Sequence, residues 1–271
     1  MLLRLLALDL DGTLLTRGKT VSARTRQVLT QLSAQGCHIV VATGRPFDVL
    51  ALLCQGLPLM APQIALNGAA IHDPVEGRDL RRRSMATEDV ELAVSFFRER
   101  DIPMALFATD ALYLDDRIPN QHLWHPAPLP PPRDLARMRE FRNHEILKVA
   151  AHAEPDVIDW LHPCAVEALG NELYITRTAP TLVEALRHGV SKGEALQHVA
   201  RLLDVSREEI VAFGDSDNDL PMFAAAGLSV AMGNAAPEVR AAADVITASN
   251  EQDGIAAALE QLDLLTVATS P

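Results

Sequence analysis

Much that would announce a function at a glance is missing from this 271-residue chain. The three cysteines, Cys37, Cys54 and Cys164, are an odd number at no metal-like spacing. They argue against a disulfide framework or a zinc site and read as small buried hydrophobes in a reducing compartment. No apolar run approaches the length of a membrane span. The opening Met-Leu-Leu-Arg-Leu-Leu-Ala-Leu briefly resembles a signal core, but it runs straight into Asp9 and Asp11 with no small-residue cleavage site. Positive charge is scarce: 24 Lys and Arg against 36 Asp and Glu leave a formal net charge of -12. A nucleic acid or an anionic membrane needs a broad basic face, so neither is expected as a partner. There is no internal repeat, and the one low-complexity stretch is the proline run from Pro126 to Pro132. With 48% hydrophobic residues, the chain reads as a cytoplasmic globular protein of one large or two modest domains.

What is present begins at Leu5. The run Leu-Leu-Ala-Leu-Asp9-Leu-Asp11-Gly12-Thr13 is an apolar stretch that ends in two carboxylates and breaks at a glycine, as a buried parallel strand does on entering a loop. Side chains alternate along a strand, so Asp9 and Asp11 leave it towards the same side. Two close carboxylates repel, and a cation belongs beside them. Ser22 is a candidate cap for a helix through Gln35, Cys37 to Ala42 reads as a second strand ending in Thr43-Gly44-Arg45-Pro46, and Pro46 suits the first position of a helix to about Leu53. Gln63 to Leu66 is a third short strand, stopped by the tight-turn pair Asn67-Gly68. This alternation predicts a parallel sheet with helices on its faces.

From about Ser84 the rhythm changes to strand pairs beside helices. Helices are predicted over Glu88–Arg100, near Asp134–Arg142 and near Pro155–His162, with strands at Ile102–Ala108, Ala111–Asp115, Ile146–Ala151, Glu172–Thr176 and Thr181–Leu186. The first rhythm resumes at Ser191: a helix to Leu203, a Ser206/Glu209 capping box, a strand Ile210–Phe213, then Gly214-Asp215-Ser216-Asp217-Asn218-Asp219 before another helix. Leu228–Ala231 and Val245–Thr247 add strands, Gly254–Leu262 a last helix, and Thr266–Pro271 reads as a frayed tail. The expectation is an α/β protein, a Rossmann-like parallel-sheet core over residues 1–83 and 189–271 with an inserted α+β domain over 84–188.

Ligands of open α/β sheets bind outside the carboxyl ends of the strands, so the polar loops should converge. They bring Asp9 and Asp11, Thr43 and Gly44, Lys192, and Asp215 with Asn218 and Asp219: a carboxylate cluster with one ammonium and several small donors. Such oxygen ligands select a hard cation, and Mg²⁺ characteristically takes one or two carboxylates plus a substrate phosphate. Each piece alone has an ordinary structural reading, a solvated lysine or an acidic helix cap.

Taken in order, Asp9-Leu-Asp11-Gly12-Thr13, Thr43-Gly44-Arg45, Lys192-Gly193 and Gly214-Asp215-Ser216-Asp217-Asn218-Asp219 resemble the four motifs of the haloacid dehalogenase superfamily, more narrowly its Cof-type phosphatases with an inserted C2 (class IIB) cap. Ala226 to Ala235 and Asn250 to Gly254 are similar to that family's C-terminal stretch. The resemblance implies a Mg²⁺-dependent phosphatase acting on a small-molecule phosphomonoester of the sugar phosphate or pyridoxal phosphate class. It further implies Asp9 as nucleophile, Asp11 as general acid and base, and Thr43, Gly44, Lys192 and Asn218 as contacts of the phosphoryl group. Asp219 would orient Lys192, and Mg²⁺ would be held by Asp9, the Asp11 main-chain carbonyl and Asp215, with Ser216 a weaker candidate. The alternatives that share these motifs are a phosphomutase or phosphotransferase using the same aspartyl-phosphate, or a non-catalytic phosphometabolite-binding regulator. The inserted domain is less informative: His122, Trp124 and His125 read as loop residues with partly buried rings, and His144, His152 and His162 lack ligand spacing.

Overall fold

A computed structural model describes residues 2–121, 124–138 and 140–265. The first strand, β1 (Leu5–Leu8), is wholly buried, because every residue in it is apolar and both sheet faces are covered. Helix α1 (Ala23–Ala34) starts at Ser22, whose hydroxyl accepts the N–H of Thr25, and it buries Val28, Leu29 and Leu32. Strand β2 (His38–Val41) and helix α2 (Phe47–Leu53) follow. Pro46 sits just before α2, in extended conformation, instead of at its first helical position.

Strand β3 (Gln63–Ala65) departs from the sequence expectation. It touches the parallel sheet through one bridge, Ala42 to Ile64, and otherwise pairs antiparallel with β4 (Ala70–Asp73) in a three-stranded sheet completed by β5 (Arg78–Arg82). The reason lies in Leu66-Asn67-Gly68, all three at positive φ, which turn the chain straight back on itself.

The segment Arg82–Val190 is a compact unit of its own. It contains α3 (Thr87–Arg98), β6 (Met104–Ala108), β7 (Leu112–Leu114), β8 (Arg133–Asp134), β9 (Ile146–His152), α4 (Pro155–Leu169), β10 (Leu173–Ala179) and β11 (Leu182–Arg187). Its six-stranded sheet has the order β10-β11-β9-β6-β7-β8, with α3 and α4 packed on a core that includes Phe97, Leu106, Val149, Leu161 and Val183. Two expectations are corrected. The helix predicted to end at His162 runs on through Pro163 to Leu169, because the buried stripe Ile158, Leu161, Ala165 and Leu169 outweighs one lost backbone bond. The helix predicted near Asp134–Arg142 is instead two single 3₁₀ turns, Leu135–Arg137 and Phe141–Asn143. Leu135, Met138 and Phe141 pack on the core, and extended backbone at Met138 and Glu140 separates the two turns, so no continuous helix forms.

Met1–Arg81 together with Ser191–Pro271 forms the other unit. Its second half supplies α5 (Lys192–Leu202), β12 (Ile210–Gly214), α6 (Leu220–Ala225), β13 (Leu228–Ala231), α7 (Pro237–Ala242), β14 (Val245–Ile246) and α8 (Gly254–Gln261). The parallel sheet has the order β14-β13-β12-β1-β2, with Leu5 to Leu8 registered against Ile210 to Phe213 on one side and His38 to Val41 on the other. The chain therefore leaves β1 in one direction and returns through β12 in the other. The carboxyl ends of β1 and β12 lie side by side at this switch in strand order. Cys37 and Cys54 are buried and unpaired, and burial pushes their thiols up to about 12, as inert hydrophobes. No helix among the described residues is long and apolar enough to cross a membrane. His122 and the tail Thr266–Pro271 lie outside the described residues.

Candidate active site

Asp9 follows the last residue of β1, and its N–H donates to the carbonyl of Phe213 on β12 at 2.9 Å. That bond locks its backbone to the strand carrying Asp215. The Asp9 side chain is buried, and its Oδ1 accepts from Lys192 Nζ at 2.5 Å. Lys192 is the first residue of α5, fully buried, and its ammonium also donates to Asp219 Oδ1 at 2.6 Å. The other oxygen of Asp219 accepts the N–H groups of Asp215 and Ser216, at 2.9 and 3.1 Å. Both oxygens of Asp219 are thus committed to holding the lysine and the turn after β12. The Ser216 hydroxyl completes that turn by accepting the Asp219 N–H in a reciprocal cap.

Asp215 approaches from the end of β12, and Oγ1 of Thr13 donates to its Oδ1 at 2.9 Å. Gly12, at φ +87°, makes the approach possible: a Cβ there would stand 2.3 Å from Asp215 Oδ2. Carboxylate oxygens of Asp9, Asp215 and Asp219 lie within 4.8 Å of one another. One ammonium faces three carboxylates. Burial, the charge of Asp219 and the neighbouring Asp215 push Asp9 well above the usual carboxylate range against the pull of Lys192. Burial and Asp219 raise Asp215 to about 6. For Lys192, burial opposes the charged form, but Asp219 and Asp9 outweigh it and hold the ammonium protonated. The group has the donor set of a hard divalent cation and a deficit of positive charge, so Mg²⁺ fits it, with Asp9 and Asp215 as the carboxylates not already committed to the scaffold.

Asp11 goes elsewhere. Its side chain is outside this cluster and is gripped by Arg45, with Nε at 2.5 Å and Nη2 at 3.0 Å, and by Lys19 Nζ at 2.6 Å. Burial works against its charge, but the Arg45 fork and then Lys19 prevail and lower it to about 2. Arg45 and Lys19 were not singled out from the sequence as partners of Asp11, although Arg45 stands in the quoted Thr43-Gly44-Arg45 run.

Thr43 is buried at the end of β2, and its hydroxyl oxygen accepts the N–H of Arg45 at 3.1 Å, so its own proton remains a donor. Gly44 lies against the side chain of Asn67, 3.3 Å from where a Cβ would be. Asn218 Nδ2 donates to Asn67 Oδ1 at 2.9 Å. The sequence signalled Asn67 only as a turn residue. Asn234 Nδ2 donates to the carbonyl of Gly12 at 2.8 Å, and Asn250 Nδ2 donates to that of Leu15 at 2.7 Å, so the C-terminal stretch fastens the first loop. Asp9, Lys192, Asp215 and Asp219 are thereby brought together, Thr43, Gly44 and Asn218 form an adjoining group around Asn67, and Asp11 stands apart on Arg45 and Lys19.

The chain is similar in sequence and fold to known proteins. Residues 6–259 match the family model of haloacid dehalogenase-like hydrolases. A 5-amino-6-(5-phospho-D-ribitylamino)uracil phosphatase of Bacillus subtilis, YitU, is 31% identical over 267 residues, which cover 95% of this chain and 96% of that one. An HMP-PP phosphatase of Cronobacter sakazakii is 28% identical, over 88% of this chain and 87% of its own. Among solved structures, a phosphatase of the haloalkanoate superfamily from Bacteroides thetaiotaomicron superposes with a TM-score of 0.80 at 29% identity, covering 97% of this chain and 96% of that one. With its loops in the family's order and a match along nearly the whole length, the chain belongs to the haloacid dehalogenase-like hydrolases.

Proposed function

We propose that this chain is a Mg²⁺-dependent phosphatase that hydrolyses a small soluble phosphomonoester, of the sugar phosphate or pyridoxal phosphate class, through an aspartyl-phosphate. The observation that carries the proposal is the buried Lys192 ammonium bridging Asp9 and Asp219 beside Asp215, at the carboxyl ends of adjacent parallel strands. Asp9, Asp215 and the main-chain carbonyl of Asp11 would hold Mg²⁺, which when bound would supply the charge neutralisation that lets an anionic carboxylate meet an anionic phosphate. Asp9 attacks phosphorus and the bond to the leaving oxygen breaks. The leaving alkoxide takes a proton from Asp11. In the second step Asp11 takes a proton from water as its oxygen attacks phosphorus, releasing orthophosphate and restoring Asp9. Thr43, the Gly44 amide, Asn218 and Lys192 serve as donors to the phosphoryl oxygens, since phosphoryl transfer is mostly positioning and charge stabilisation.

In this reading the unit Arg82–Val190 acts as a cap that selects the rest of the substrate. Relatives named for two different phosphate substrates support a small soluble phosphate ester.

The test is orthophosphate release across a panel of phosphomonoesters that includes pyridoxal phosphate, sugar phosphates and nucleotides, with and without Mg²⁺. Turnover should need Mg²⁺ and vanish in Asp9→Asn. Release at the parent rate from Asp9→Asn, or undiminished release in excess EDTA, defeats the assignment.

A further inference from the structure

We infer that Asn67 is a positioning residue for phosphate binding: through its side-chain amide it sets the direction of Asn218 and ties it to the Thr43-Gly44 loop. The inference rests on the reading that the phosphoryl group sits among these loops.

Four observations meet at this corner. Asn67 is wholly buried and stands at φ 55°, two residues past the end of β3. Its backbone N–H donates to the carbonyl of Thr43 at 2.9 Å, and its side chain lies against Gly44, closer than almost any added atom there would allow. Its Oδ1 accepts from Asn218 Nδ2 at 2.9 Å. Gly68, at φ +96°, lets the same corner press on Ser191, the cap of the helix that begins with Lys192; a Cβ on Gly68 would stand 2.3 Å from the Ser191 carbonyl oxygen. One short turn therefore touches the second loop, the lysine helix and the last loop.

The Asn218 amide shows what this serves. It is buried, with one N–H given to Asn67, while its Oδ1 meets no hydrogen-bond partner among the described residues. The group that serves a phosphoryl oxygen is the second N–H of the same amide, whereas Oδ1 is an acceptor and would be completed by a donor such as water or a substrate hydroxyl. An amide free to rotate would turn that atom into the nearest partner. The bond to Asn67 Oδ1 holds the plane of the amide, so that its second N–H and its oxygen keep their directions before the ligand arrives.

A left-handed turn by itself would account for an asparagine here, since Asn tolerates that conformation well. The two roles separate experimentally. Asn67→Gly keeps the turn and the backbone bond to Thr43 but removes the side-chain amide. The measured quantity is competitive inhibition by inorganic phosphate, in the full chain with Mg²⁺, alongside kcat and the melting temperature. Asn67→Gly should weaken phosphate inhibition by about tenfold, as should Asn218→Ala, and the double variant should bind phosphate no more weakly than Asn218→Ala alone. Phosphate inhibition unchanged in Asn67→Gly, or losses that multiply in the double variant, would overturn the inference. If the glycine variant does not fold in plain buffer, the same measurement in a stabilising osmolyte such as sucrose carries the same expectation, since alanine at φ 55° would add backbone strain. Absence of phosphate inhibition in the unaltered protein would overturn the site reading as well, whereas inhibition that is lost in Lys192→Met but kept in Asn67→Gly overturns this inference alone.

Discussion

Asp215→Asn should make the metal-free protein more stable. In the folded chain Asp215 keeps its proton up to about 6, against an ordinary value of 3.8, because it is buried and faces the charge of Asp219. Between those two values the folded state binds more protons than the unfolded state. Stability therefore falls as pH rises through that window and stays lost above it. Above pH 7 the ionised group costs about 3 kcal/mol at most, and about 1–3 kcal/mol once partial exposure of the side chain is allowed for. Asparagine carries no charge and can still accept from Thr13 Oγ1. In EDTA at pH 7.5, Asp215→Asn should melt higher than the parent, by about 2–12 °C for a domain of this size. At pH 4.5 the advantage should shrink to about a third, because the parent is then largely protonated at this position. Saturating Mg²⁺ should reverse the order, since it stabilises only a protein that binds it. The assay is calorimetry at the two pH values with and without Mg²⁺. A variant that melts below the parent in EDTA at pH 7.5, or a gap that ignores pH, refutes the claim that the cluster lacks a cation.

Two further substitutions test the neighbouring charges. Lys192→Met leaves three carboxylates without their ammonium and should cost about 3–5 kcal/mol at pH 7.5, with part recovered at pH 5 as Asp9 and Asp215, both raised by burial, protonate; equal melting temperatures of variant and parent at pH 7.5 would refute this. Asp11→Asn should lower kcat by about 10²–10⁴-fold yet retain the Mg²⁺-induced rise in melting temperature. It should also lose about 1–2 kcal/mol of the stability that Arg45 and Lys19 confer on the ionised form, present above pH 3.8 and lost as pH falls towards 2.

The sequence made the parallel sheet and its polar loops legible because each signal was local: an apolar run, then a carboxylate or a Thr-Gly pair, at the end of a strand. It could also anticipate that those loops converge, since strand ends in a parallel sheet share one edge. Contacts between separate loops were not legible. Nothing near Asp11 in the chain identifies Arg45, 34 positions away, as the group that holds it. Asn67 looked complete as a turn former, so its side chain raised no question. The antiparallel turn-back of β3 was hidden because the strand-helix-strand rhythm continues up to Ala65, and only the three positive-φ residues that follow divert it. The misread segment near residues 134–142 shows the same limit, as extended backbone at Met138 and Glu140 interrupts an apolar spacing that reads as helical.

Asp9, Asp215 and Asp11 are of one chemical type, and their surroundings drive their ionisation apart. Asp9 and Asp215 are buried among negative charge and resist ionisation until a second cation joins Lys192. Asp11 is held by two cations and resists protonation. On the aspartyl-phosphate route, the anionic form of Asp11 that Arg45 and Lys19 favour is the one needed for the second step, when a proton is drawn from water. The first step needs the opposite form, a carboxyl that can give a proton to the leaving oxygen. An acid held near 2 by Arg45 and Lys19 is rarely protonated near neutral pH, so on this route the first step would need their grip on Asp11 relaxed. Arg45 is followed directly by Pro46 and α2, and its N–H is bound to Thr43 Oγ1, so its backbone is anchored in the very loop assigned to the phosphoryl group. On the proposed reading, a phosphate bound at Thr43 would compete with Asp11 for the Arg45 guanidinium, leaving Lys19 as the remaining cation on that carboxylate.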